Sequence, residues 1–221
     1  MDDLIVIGIL MAIGVFIYIS SRQRPGAMAS VAARLGLSFD PGKNRQIAQR
    51  YSFLEKLRKG SAYNVMSKGY AYNTISGSFR GYDVTAFDYH YETGEETEYG
   101  LDDFSLFTLH LPAVFPELLI GPEGVFSKIA QAVGYDDIDF ESHEFSRKFF
   151  VRSGDKKFAY DVCNARMIEY LLANRDFSIE IEDDVLAIWF RHRLAPESIE
   201  PNLNRLITVR SLMPDYLFSG R

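Results

Sequence analysis

The spacing of apolar residues divides the chain into parts with different periods. From Leu4 to Ser21, eighteen residues carry no charge and are apolar at nearly every position, and Arg22 is the first charge after them. A helix of that length reaches roughly 27 Å, close to the roughly 30 Å hydrocarbon core of a bilayer, so a crossing helix is expected. Only Met1, Asp2 and Asp3 precede it and no small-x-small cleavage site follows, which favours a retained signal-anchor over a cleaved signal peptide. Arg24-Pro25-Gly26 is expected to end this helix, because proline removes a backbone donor and restricts the residue before it. Residues 27–36 then read as a short helix with a glycine stop. Arg45 to Lys59 read as another, with Ile47, Tyr51, Leu54 and Leu57 on one face and Gly60 closing it.

From Tyr63 to Leu111 the period falls to two, in a stretch rich in Tyr, Phe, Val and Thr and broken by glycine. An antiparallel meander is expected. Alternation sends Val84, Ala86, Asp88 and His90 to one face and Thr85, Phe87, Tyr89 and Tyr91 to the other. Gly77-Ser78-Phe79-Arg80-Gly81 reads as a β-turn. Pro112 and Pro116 are expected to interrupt the sheet, with one more short strand after them and a helix over Val125 to Val133. Phe145 to Val151 reads as a strand, followed by a helix from Lys156 to Asn174 with Asp155 as its N-cap. Phe177 to Glu182 and Val185 to Arg193 read as a hairpin around Asp183-Asp184. Pro201 suits the first turn of a last helix that stops at Met213-Pro214, with Leu203, Leu206, Ile207 and Arg210 along one row.

The expected fold class is α+β: a single N-terminal transmembrane helix followed by a cytoplasmic domain with an antiparallel sheet and several packed helices. The domain organisation read from these changes is an anchor over 1–24, a basic juxtamembrane collar over 25–60 and an acidic globular domain over 61–221. That last part is either one unit or two small lobes divided near 112–124. The chain shows no internal repeat at a fixed period.

Charge adds a direction. The net charge of −6 conceals a split: residues 22–60 hold nine bases against two acids, and residues 61–221 hold fifteen bases against twenty-six acids. Lys and Arg beside a span are kept on the cytoplasmic side, so Arg22, Arg24 and Arg34 place the N-terminus outside and the domain in the cytoplasm, at the inner membrane. The same collar is suited to anionic lipid at the inner leaflet, each base adding about 1 kcal/mol near such a surface. An acidic body argues against nucleic acid as a partner. The single cysteine, Cys163, agrees with a reducing compartment, since a secreted domain of this size more often carries paired cysteines.

Two strings, NVMSKGYAYNTISGSFRGYDVTAFDYHYET and DIDFESHEFSRKFFVRSGDKKFAYDV, resemble segments of a bacterial family of single-span proteins with no assigned function. The resemblance covers about two thirds of the chain and implies an anchor preceding such a domain. Its motifs are strand and turn patterns, and it implies no active-site residue.

Candidate chemistry changes the picture little. The chain contains no GxxxxGK[ST], GxGxxG, HExxH or GxSxG string. Its densest polar run is Asp136 to Glu144. If extended, that run would put Asp137, Asp139, Glu141 and His143 on one face, a donor set for a hard or borderline cation. The EF-hand spacing fails, because Ser142 and Lys148 stand where glycine and glutamate are needed, and a solvated acidic connection is the plainer reading. His90 and His110, on neighbouring predicted strands, are candidates to face one another. Cys163 reads as a small buried hydrophobe, and the acidic residues between Glu92 and Asp103 as a solvated turn.

The aromatic residues of the sheet stretch exceed what one buried face needs, so a second aromatic face is expected to meet another protein. Gly8 and Ala12 form a small-xxx-small stripe for helix packing in the membrane. These features point to a non-enzymatic accessory or scaffold subunit whose partners are other proteins of a membrane complex, with no cofactor and no metal. A rival reading is a membrane-surface enzyme or ligand binder using Asp137, Asp139, Glu141 and His143. A third is an anionic-lipid sensor using Lys56, Arg58, Lys59 and Arg80.

Overall fold

A computed structural model describes residues 6, 23–51, 53–54, 68–92, 103–123 and 137–219. The predicted span, with Gly8, Ala12 and Arg22, lies outside the described residues apart from Val6, as do Lys56, Arg58 and Lys59, the acidic run 93–102 and the predicted helix over 125–133. Among the described residues no helix is long and apolar enough to cross a membrane.

Helix α1 is described over 23–35 and stops at Gly36, whose φ of +70° suits glycine at a helix end. Pro25 and Gly26 lie in the first described turn of this helix, and the expected stop to the membrane helix falls on residues outside those described. Its inner row, with Met28 and Ala32 fully buried, packs on the sheet. After β1 (Ser38–Asp40) comes α2 (Arg45–Arg50), capped by Asn44, whose Oδ1 accepts from the amides of Gln46 and Ile47. Helix α2 ends at Arg50, Phe53 and Leu54 are helical again, and residues 55–59 of the expected helix lie outside the described residues. Tyr51, Phe53 and Leu54 pack under the sheet.

The expected meander is present as β2 (Lys68–Phe79), β3 (Tyr82–Glu92) and the start of β4 (Asp103–Pro122). Arg80 and Gly81, both at positive φ, make the two-residue turn between β2 and β3. Strand β4 is twenty residues long and continues through both prolines. It pairs with β3 up to Leu109 and with β5 (Phe149–Ser153) from Leu118 onward. The prolines sit in the changeover, where neither neighbour pairs with the strand and pairing on its other side is irregular. A missing amide donor is tolerated there.

That other side is β6 (Ser178–Trp189), one continuous strand in place of the expected hairpin. Asp183 adopts φ +52° opposite Phe115 and forms a bulge, a conformation that aspartate tolerates, so Asp183-Asp184 bends the strand without reversing it. The sheet is antiparallel throughout, in the order β1-β2-β3-β4-β5 with β6 also on β4.

Among the described residues, four further α-helices cover one face. His143–Lys148 forms α3, directly before β5, where a strand was expected from Phe145. Ser142 caps it, and the buried Phe145 stacks on Phe149. The helix expected over Lys156 to Asn174 is two, α4 (Lys156–Val162) and α5 (Ala165–Ala173). Asp155 caps the first as expected. Asn164 breaks the run by capping the second while its Nδ2 donates to Leu212 O at 2.9 Å. Pro201 lies in the first turn of α6 (Ile199–Leu212), which buries Leu203, Leu206 and Val209.

Both faces of the sheet are buried. One carries Ile75, Val84, Ala86, Phe107 and Ile188 against α1 and α3 to α6. The other carries Phe87, Tyr89, Tyr91, Phe104 and Trp189 packed with Tyr51, Phe53 and Leu54. The alternation read in β3 therefore holds, but the aromatic face is not open for a partner. Tyr51, Phe53 and Leu54, after α2, cover it.

Candidate functional site

The row that carries Val84 and Ala86 into the core continues to Asp88, whose carboxylate is 1% exposed. A charge at that depth needs compensation. It comes from α1, on which Arg24, Met28 and Ala32 recur every four residues along the face that meets the sheet. Arg24 Nε donates to Asp88 Oδ2 and Nη2 to Oδ1, both at 2.9 Å, a bidentate pair, while Nη1 donates to Leu194 O at 2.7 Å. Asn73 Nδ2 donates to Oδ2 at 3.0 Å and Ser105 Oγ to Oδ1 at 2.8 Å. Four donors thus meet a carboxylate with about four acceptor positions.

Local backbone makes this arrangement possible. Asn73 sits at φ +51° where the β2–β3 register slips, a bulge that sets its amide at the carboxylate. Ser105 Oγ also accepts from the Leu194 amide at 3.0 Å, so the segment after β6 is held by the same group. An outer layer surrounds the pair. Tyr72 donates to Asp103 Oδ1 at 2.7 Å, Arg193 Nη1 donates to the Tyr72 oxygen at 3.3 Å, and His90 Nδ1 lies 3.3 Å from Asp103 Oδ1. Burial first, and the bond to Asp103 second, push the Tyr72 phenol well above its ordinary range. Farther along α1, Arg34 pairs with Glu200 of α6 at 2.5 Å. Arg24 and Arg34, two of the three bases next to the expected span, are therefore paired within the domain.

His90 and His110 do not face one another. His90 lies across from Asp103, while His110 lies across from Val185, with its Nδ1 3.2 Å from Asp184 Oδ2. A small cleft of about 200 Å³ opens there between Arg50, His110 and Asp183-Asp184. Its polar groups seat the segment after α2: Glu182 accepts from the Phe53 amide, and Tyr51 bonds Thr108, its phenol raised by burial.

Among the described residues no group of three His, Cys, Asp or Glu side chains is placed to hold an ion. Asp137 Oδ1 accepts from the amides of Ile138 and Val151, and Ser142 caps α3, so the Asp137 to His143 run is bent into a connection. Beside it lies a groove of about 560 Å³ between residues 140–142, α4 and α5. Cys163 lies buried in its floor, and burial raises its thiol far above the usual range.

Sequence reading found Arg24 but did not pair it with Asp88, and the missed signal was an aspartate continuing the row of the buried Val84 and Ala86. No protein-family model and no curated protein matches the chain. Among solved structures, the chain is similar to that of the mycobacterial trehalose monomycolate transport factor A, TtfA. The match has a TM-score of 0.58 at 13% identity and covers 87% of this chain and 97% of that one. At that identity the likeness is one of fold.

Proposed function

We propose that the protein is a membrane-anchored, non-enzymatic accessory or scaffold subunit of a larger membrane protein complex, with its α+β domain on the cytoplasmic face of the inner membrane. The observation that carries this reading is the Arg24–Asp88 junction. The apolar segment ends at Ser21, and the guanidinium that binds the core of the sheet belongs to Arg24. A domain working on diffusing substrate can hang on a loose tether. A subunit that meets an integral partner gains from a fixed height and orientation, since preorganised surfaces lose less entropy on binding.

The likeness to TtfA, a transport factor, favours a transport assembly as the host. Two rival readings have less support. Asp137 of the acidic run accepts two backbone amides, and Arg80 lies at the hairpin turn, toward the end of α1 remote from Arg24. The test is extraction of native membranes in mild detergent, then sizing and mass spectrometry. Co-migration with defined membrane proteins in fixed ratio is expected, and migration as a monomer or simple homodimer would overturn the proposal.

A further inference from the structure

Helix α5 is apolar on two adjacent rows. Met167 and Leu171 enter the core, while Ala165, Ile168 and Leu172 line the groove opposite Phe140 and Tyr160. Ile168 and Leu172 are partly buried against the core, and their remaining surface faces the groove. Tyr160 is 49% exposed, with its hydroxyl donating to Asp139 O, so the ring forms one fixed wall of the groove. Among the described residues the lining carries two carboxylates, Glu141 and Glu169, and no cation. The row at Ala165, Ile168 and Leu172 spans about 10 Å along α5, the length of two turns of an opposing helix.

We propose that this groove receives an amphipathic helix of a partner protein, its apolar row laid along Ile168 and Leu172 and its flanks carrying Lys or Arg against Glu141 and Glu169. Apolar anchors in a groove with charges at the rim are the general form of helix recognition. Bilayer lipid is a poorer occupant. The groove's two rim carboxylates repel anionic headgroups.

The test uses the full-length chain in phosphatidylcholine nanodiscs and two dye-labelled synthetic helices of about 18 residues, long enough to be marginally helical alone. They share one leucine face, and their polar faces carry lysine in one and glutamate in the other. Fluorescence anisotropy is expected to show saturable binding of the lysine peptide alone, with empty nanodiscs as the blank. Ile168→Ser and Leu172→Asp each weaken it about tenfold or more, the scale of a lost anchor. Glu141→Lys with Glu169→Lys transfers the preference to the glutamate peptide, while Glu197→Lys, outside the groove, leaves it unchanged. Equal binding of both peptides, no effect of the groove variants, or self-association of the chain that Leu172→Asp abolishes would overturn the proposal. Because this assay contains no native partner, its failure is separate from failure of the complex to co-migrate.

Discussion

Replacing Asp88 by asparagine keeps the size of the side chain and removes the charge that Arg24 was folded to meet. The variant leaves a guanidinium only 12% exposed beside a neutral amide, with Leu194 O as its remaining strong acceptor. Removing one partner of a buried pair costs about 3–5 kcal/mol, a large part of the about 5–15 kcal/mol by which a domain is stable. For a chain of this size that lowers the midpoint of thermal unfolding by about 6–20 °C. Circular dichroism of the full-length chain in mild detergent measures the shift. Hydrogen exchange measures its location, with amides of α1 beyond Arg24 losing protection first. A double-mutant cycle with Arg24→Met isolates the pair, and the expected coupling is about 2–3 kcal/mol, the upper range for groups in direct contact. A loss under about 1 kcal/mol for Asp88→Asn, or exchange unchanged in α1, would refute the view that this pair sets the helix on the sheet.

Other consequences follow from single positions. Gly121→Ala would bring a methyl to 2.6 Å from the Phe150 ring, and overpacking of that kind costs about 1–3 kcal/mol, read as a lower urea midpoint. A loss under about 0.5 kcal/mol would mean that the ring yields freely. Cys163, buried and with its thiol raised by that burial, should resist Ellman's reagent at pH 8 until the protein unfolds; prompt labelling of the native chain would contradict its placement. Tyr72 has a folded-state pKa above its ordinary value of 10.0, so its contribution is complete below pH 10 and declines as pH rises through the higher folded value. Stability of the wild type should therefore fall more steeply between pH 9 and 11 than that of Tyr72→Phe, and parallel curves would count against the coupling.

Local signals in the sequence carried much of the fold. Gly36, Asp155 and the Arg80-Gly81 turn act within a few residues, and each stands where its chemistry predicts. The meander and its two faces were legible because period-two alternation directly encodes which side of a sheet is covered. What failed was nonlocal. Pro112 and Pro116 read as strand breaks, yet two different neighbours exchange along β4 between them. Asp183-Asp184 reads as a turn, yet a bulge uses the same residues when a long partner strand lies alongside. The surplus of aromatics was visible, but its cover lies in the segment after α2, distant in sequence and brought there only by the fold. The Asp88 site was half legible. Arg24 stood out as a charge, whereas Asp88 disappeared into a strand pattern as one polar exception.

The most direct measurement is the native size and composition of the particle extracted from membranes, compared between the wild type and the Arg24→Ala, Asp88→Ala double variant. Removing both members spares the fold an unpaired buried charge. The account predicts that the wild type travels in fixed ratio with other membrane proteins, and that the double variant stays folded and membrane-bound but leaves that particle. A wild type that migrates alone, or a double variant that remains in the particle at full ratio, would contradict it.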